Sequence, residues 1–124
     1  MEDRFRHAPL LSSHALSRGL RVRLRLAQVR DVAAIQRLVR ERCGMREELE
    51  VAQLVRMDPR RRIVICASAL IGTTETLVGV AAMDVDADEP DLLCVDEVQT
   101  DDLADLLRGA LVARANAIAA RRAA

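Results

Sequence analysis

The chain has 124 residues, 51% of them apolar, which is enough for one domain with its own core, and that core must be aliphatic because Phe5 is the only aromatic residue. Absence of Trp and Tyr excludes aromatic stacking on bases or sugars and a phenolic acid for catalysis. The 19 basic residues, all arginine, balance 19 acids, but residues 1–62 hold 15 Arg against 8 acids (+7) and residues 63–124 hold 4 against 11 (−7). A uniform basic field for nucleic acid is thereby excluded, and attraction between the halves, within the fold or between subunits, is favoured.

Residues 1–20 show no clear period, contain both histidines (His7 and His14), and are expected to form a mobile N-terminal tail ahead of a domain spanning 21–124. Two isolated histidines with no third partner nearby make a poor metal site. The acids Glu2 and Asp3 and the lack of a long apolar run argue against a signal peptide, and no stretch approaches the ~20 apolar residues of a membrane span. A cytoplasmic protein is the expectation.

From Arg21 the pattern becomes strict alternation: Val22, Leu24 and Leu26 on one face, Arg21, Arg23 and Arg25 on the other, as in a half-buried strand. The arginine row has the chemistry to meet phosphates, but a solvated face or pairing with the acidic half is the simpler expectation. From Gln28 to Cys43 the spacing turns helical, with Val32, Ile35, Leu38, Val39 and Cys43 on one side, Asp31 in the first turn and Gly44 as the stop. A second helix is predicted from about Arg46 to Arg56, ended by Asp58-Pro59.

Ile63 to Ile71 is an almost unbroken apolar run of strand length, predicting a central strand covered on both faces. Gly72 to Glu75 reads as a hairpin turn, Thr76 to Val85 as the return strand, and Gly79 as a bulge or a close backbone approach. Asp84, Asp86 and Asp88 resemble the start of a calcium loop, but Glu89 and Val95 stand where its Gly and Glu belong, so a solvated acidic turn is expected. Leu92 to Val95 makes a short third strand of the core. A long helix then opens at Thr100 with Asp101, Asp102 and Asp105 in its early turns, and carries Leu103, Leu106, Leu107, Ala110, Leu111, Ala117 and Ile118 as an apolar stripe to about Arg122. Gly109 interrupts it at a cost of about 1 kcal/mol relative to Ala, for which close packing on the sheet would be a reason.

The odd set of cysteines (Cys43, Cys66, Cys94) shows no CxxC spacing, so neither a disulfide framework nor a zinc site is expected. Cys43 and Cys94 read as buried or helix-end thiols.

The order strand, helix, helix, strand, strand, strand, helix resembles the first two-thirds of the GNAT (Gcn5-related N-acetyltransferase) fold. Leu24-Arg25-Leu26-Ala27-Gln28-Val29-Arg30-Asp31-Val32-Ala33-Ala34-Ile35 looks like that family's first strand and helix start, and Leu77-Val78-Gly79-Val80-Ala81 like its third strand. The resemblance implies an α/β (α+β) fold with a mixed, mainly antiparallel sheet of about four strands and three helices, lacking the family's C-terminal strands.

By the same resemblance, a loop patterned Arg/Gln-x-x-Gly-x-Gly/Ala after the fourth strand holds the pyrophosphate of acetyl-CoA, since glycine permits close approach and the helix N-terminus favours an anion. The matching residues are Gln99-Thr100-Asp101-Asp102-Leu103-Ala104, with Asp102 in the glycine position, Asp101 beside it, and no arginine between Ile63 and Leu107. The expectation is a binding or dimerisation module without acetyl-CoA chemistry and without a metal, self-associating as a homodimer through the sheet edge near Leu92 to Val95. The alternative is an acyl-CoA-dependent N-acetyltransferase in which Gln99, Thr100, Leu103 and Ala104 line the cofactor loop and Asp96 or Glu97 is the base. A nucleic-acid module built on Arg21, Arg23, Arg25 and Arg60 to Arg62 is disfavoured by the lack of aromatics.

Overall fold

The computed structural model describes residues 10–15, 21–42, 60–96 and 100–123. Five strands follow in chain order, β1 (Leu10–Ala15), β2 (Arg21–Leu26), β3 (Arg62–Ile71), β4 (Thr74–Asp84) and β5 (Leu92–Val95). They lie side by side in that same order, every neighbouring pair antiparallel. Two helices accompany them: α1 (Val32–Arg42), entered through a short 3-10 turn at Val29–Asp31, and α2 (Thr100–Ala123).

The architecture is thus α+β with an open antiparallel sheet, and it corrects the sequence expectation in two respects. The sheet is antiparallel throughout rather than mixed. It has five strands rather than about four, because Leu10–Ala15, expected in the tail, pairs with β2 from Leu10↔Arg25 to Ala15↔Arg21. Two of the three predicted α-helices are described, and the third, predicted at 46–56, lies outside the described residues.

Alternation along the strands divides the core between two faces. Toward α2 point Val22 and Leu24 of β2, Ile63, Ile65, Ala67 and Ala69 of β3, and Val78, Ala81 and Met83 of β4, packed against Leu103, Leu107, Leu111, Ala115 and Ile118. Toward α1 point Val64 and Cys66, Val80 and Ala82, Leu92 and Cys94, packed against Ile35, Leu38 and Val39. Central β3 is therefore covered on both faces, as its unbroken apolar run requires. Each fully buried leucine on α2 stabilises the fold by roughly 1.5–3 kcal/mol relative to exposure. Ala117, placed by sequence on that stripe, is instead exposed.

The β3–β4 hairpin turns on two residues, Gly72 and Thr73, with Ile71 paired to Thr74, so the turn is tighter than the four residues predicted. Gly72 has φ +65°, a conformation glycine adopts at no steric cost. Register shifts between Ala67 and Ser68, which oppose Gly79 and Leu77 respectively, leaving Val78 as the extra residue of a bulge. Beside it, Gly79 also provides a close approach: a Cβ there would lie 3.0 Å from Leu107 Cδ1 and 3.1 Å from Leu103 Cδ2. Both readings of Gly79 thus hold.

Candidate functional site

Sequence directs attention first to the junction of β5 and α2. Asp96 leaves the strand with its N–H donated to the Val78 carbonyl at 2.8 Å, and its carboxylate lies 3.9 Å from Arg42 Nη2. Gln99 and Glu97 lie outside the described residues, and Thr100 is described only as the first residue of α2. Leu103 is fully buried against Gly79, so its side chain belongs to the core and only its backbone is left to meet a ligand. Ala104 is half-buried, while Asp102 and Asp105 are exposed. What this helix start offers a ligand is backbone N–H groups of the first turn, flanked by carboxylates.

Three arginines of the first half, Arg25, Arg42 and Arg62, each lie against an acid of the second half. Arg25 donates two hydrogen bonds to Asp31, Nη1 to Oδ2 at 2.6 Å and Nη2 to Oδ1 at 2.8 Å, and the Gln28 N–H donates to Oδ2 at 2.7 Å. Burial alone would raise the Asp31 pKa, but these hydrogen bonds and the Arg25 and Arg30 charges outweigh it and hold the carboxyl below the usual carboxylate range. The hydrogen bond to Asp31 likewise raises Arg25. Across the sheet, Arg25 Nε lies 3.8 Å from Glu75, whose Oε1 accepts the buried Ser68 hydroxyl at 2.7 Å.

Arg62 is buried between two acids, donating to Asp91 at 2.5 and 2.7 Å and to Asp84 at 3.0 Å, which raises its pKa. Arg122 lies 3.5 Å from Asp86 and donates to the Arg60 carbonyl. Attraction between the oppositely charged halves is realised within the fold at Arg25–Glu75, Arg42–Asp96 and Arg62 with Asp84 and Asp91. It accounts for Asp84 of the aspartate run, held by Arg62, while Asp86 pairs with Arg122 of its own half. Among the described residues no three His, Cys, Asp or Glu side chains converge as metal ligands.

Arg21 and Arg23 remain exposed on β2. With Ser68, Ala69, Leu70 and Glu75 they line a shallow cavity of about 150 Å³. Leu70 is 65% exposed at its rim. This surface was only half legible from sequence: alternation placed the arginines together, but nothing local showed that Ser68 and Glu75 meet beside them.

The cysteines correct the sequence expectation. Cys94 is disulfide-bonded, its partner lying outside the described residues. Its Sγ sits 3.6 Å from the Leu38 carbonyl oxygen as a packing contact, since a disulfide sulfur has no proton to donate. Spacing alone could not reveal this, because a disulfide depends on which thiols the fold brings together. Cys66 is free, buried, and pushed up to about 12 by desolvation, so it is not a nucleophile. Cys43 and His7 lie outside the described residues; the other histidine, His14, is on β1 with Nε2 2.7 Å from Ser12 Oγ.

A last surface is the outer face of α2. Gly109, Val112, Ala113, Asn116, Ala117 and Ala120 are exposed there, Val112 by 44%. The sheet does not explain Gly109, contrary to expectation: a Cβ built on it meets nothing within 4 Å.

No described helix is long and apolar enough to cross a membrane. Comparison of the chain with protein-family models, with curated proteins and with solved structures finds no match.

Proposed function

We propose that this chain is an acetyltransferase-like α+β unit that acts as a binding and dimerisation module without acetyl-CoA chemistry. In favour of the likeness stands the element order, in which β2, α1, β3, β4 and β5 lead into a helix opening directly after the last strand. The observation that carries the loss of chemistry is the start of that helix. Asp102 and Asp105 are exposed, Leu103 is locked into the core, and Asp101 precedes them in sequence. Carboxylates there stabilise the helix by about 0.3–1 kcal/mol each. They also neutralise the positive end of the helix dipole and repel a pyrophosphate approaching the same N–H groups.

Thermal unfolding with acetyl-CoA and with CoA tests this directly. A ligand bound only to the folded chain at about 100 times its Kd adds about 2.7 kcal/mol of stability, a shift of several degrees. The expected result at millimolar concentration is no shift with either compound. A midpoint raised by acetyl-CoA would return the chain to the N-acetyltransferases and make Asp96 the first residue to substitute as base. Light scattering tests the second half of the proposal, with a dimer mass expected at micromolar concentration.

A further inference from the structure

The outer face of α2 poses a specific problem. A glycine in the interior of a 24-residue helix is unfavourable relative to alanine, and at Gly109 no contact with a described residue requires it. Its neighbours on that face are Val112, Ala113, Asn116, Ala117 and Ala120, so three successive turns present small or apolar groups to solvent.

Residues four apart share a ridge on a helix surface, and here the ridge reads Asp105, Gly109, Ala113, Ala117, Arg121, all five exposed. Reversed about Ala113, it exchanges Asp105 with Arg121 and Gly109 with Ala117. Acid then meets base at both ends, roughly 12 Å from the centre at 1.5 Å per residue, and small meets small between them. That is the self-complementarity a two-fold interface demands, in which each contact occurs twice. The existing partner of Asp105, Arg108 at 3.6 Å, is an exposed pair of little energetic weight and does not hold the carboxylate in place.

We propose that a second copy of this chain docks on this face, with the two α2 helices antiparallel and crossing near Ala113. Gly109 lets the partner backbone come close, Val112 supplies apolar contact beside the ridge, and the two Asp105–Arg121 pairs fix the antiparallel direction. The inference rests on the reading of the chain as a dimerisation module and adds the surface by which it dimerises; it places the contact on the helix rather than on the edge strand β5.

Sedimentation or light scattering of the full chain and three kinds of variant decides it. Ala113→Glu sets two like charges face to face on the symmetry axis and is expected to convert dimer to monomer with an unchanged circular dichroism spectrum. Asp105→Arg and Arg121→Asp are each expected to weaken the dimer by placing like charges at both ends, and the double exchange is expected to restore it. The rescue separates interface loss from misfolding. A wild-type chain that is monomeric overturns the dimerisation reading and this inference together. A wild-type dimer that survives Ala113→Glu overturns this surface alone, and failure of the double exchange overturns the antiparallel register.

Discussion

Substituting Gly79 by alanine tests how closely α2 sits on the sheet. The added methyl would lie 3.0 Å from Leu107 Cδ1, 3.1 Å from Leu103 Cδ2 and 3.4 Å from Val95 Cγ1. Non-bonded carbons prefer about 3.5–4.0 Å, so two leucine ends must each retreat by roughly half an ångström. Neither has room: Leu103 and Leu107 are both 0% exposed, and retreat means either an off-rotamer side chain or a helix lifted from β4. Overpacking of this kind costs about 1–3 kcal/mol. Loss of glycine's freedom in the unfolded chain returns about 0.4–1 kcal/mol. The expected net loss is therefore about 1–2 kcal/mol, read as a lower urea midpoint at unchanged m value and as a melting temperature lower by about 3–8 °C. Gly79→Val, with two more methyls in the same gap, should lose more. A Gly79→Ala chain as stable as wild type would refute the claim that this glycine exists to seat the helix.

The opposite sign is expected at the other interior glycine: Gly109→Ala, measured in the Ala113→Glu background to exclude self-association, should gain about 0.5–1 kcal/mol in urea melts. Asp31→Asn should cost about 3 kcal/mol at neutral pH, the low end for breaking a buried pair, because it leaves Arg25 without its charged partner. The folded pKa of Asp31 lies below its unfolded value, so its contribution is fully present above about pH 4 and is lost as pH falls through the folded pKa; the variant should show a flatter acid limb, and an identical limb would count against the assignment. Cys66, with its thiol pushed up to about 12 inside the core, should resist iodoacetamide at pH 8 and react only at the rate of unfolding in urea. Rapid labelling of Cys66 in the native protein would contradict its burial.

Where one local signal decided an element, sequence sufficed. Leu92–Val95 was legible as a strand because a short apolar run is bounded by Pro90-Asp91 and the acidic helix start, and α2 because Thr100, three aspartates and a four-residue leucine spacing agree. β1 escaped because Leu10–Ala15 contains Ser12, Ser13 and His14, which break apolar alternation; its strand character comes from pairing with β2, a partner that no window around it contains. The candidate site was legible only in part for the same reason. Asp102 could be placed at the helix start from sequence, but the burial of Leu103 depends on Gly79, some two dozen residues earlier, and the bonds of Arg62 depend on Asp84 and Asp91.

The two interior glycines show how far the chain explains itself. At Gly79 the reason is internal: two leucines fill the space a side chain would need, and removing the Cβ brings helix and sheet together. At Gly109 the same residue type carries the same conformational penalty, yet the space around it is open and the sheet lies on the other side of the helix. Helix propensity alone would replace it by alanine, which already occupies Ala110, Ala113, Ala115 and Ala117 of the same helix. With no described residue near it, the glycine is accounted for by a surface that approaches from outside, as proposed above. With Asp105 at one end of the ridge and Arg121 at the other, the approaching surface that meets both charges at the right spacing is the same ridge, turned end for end.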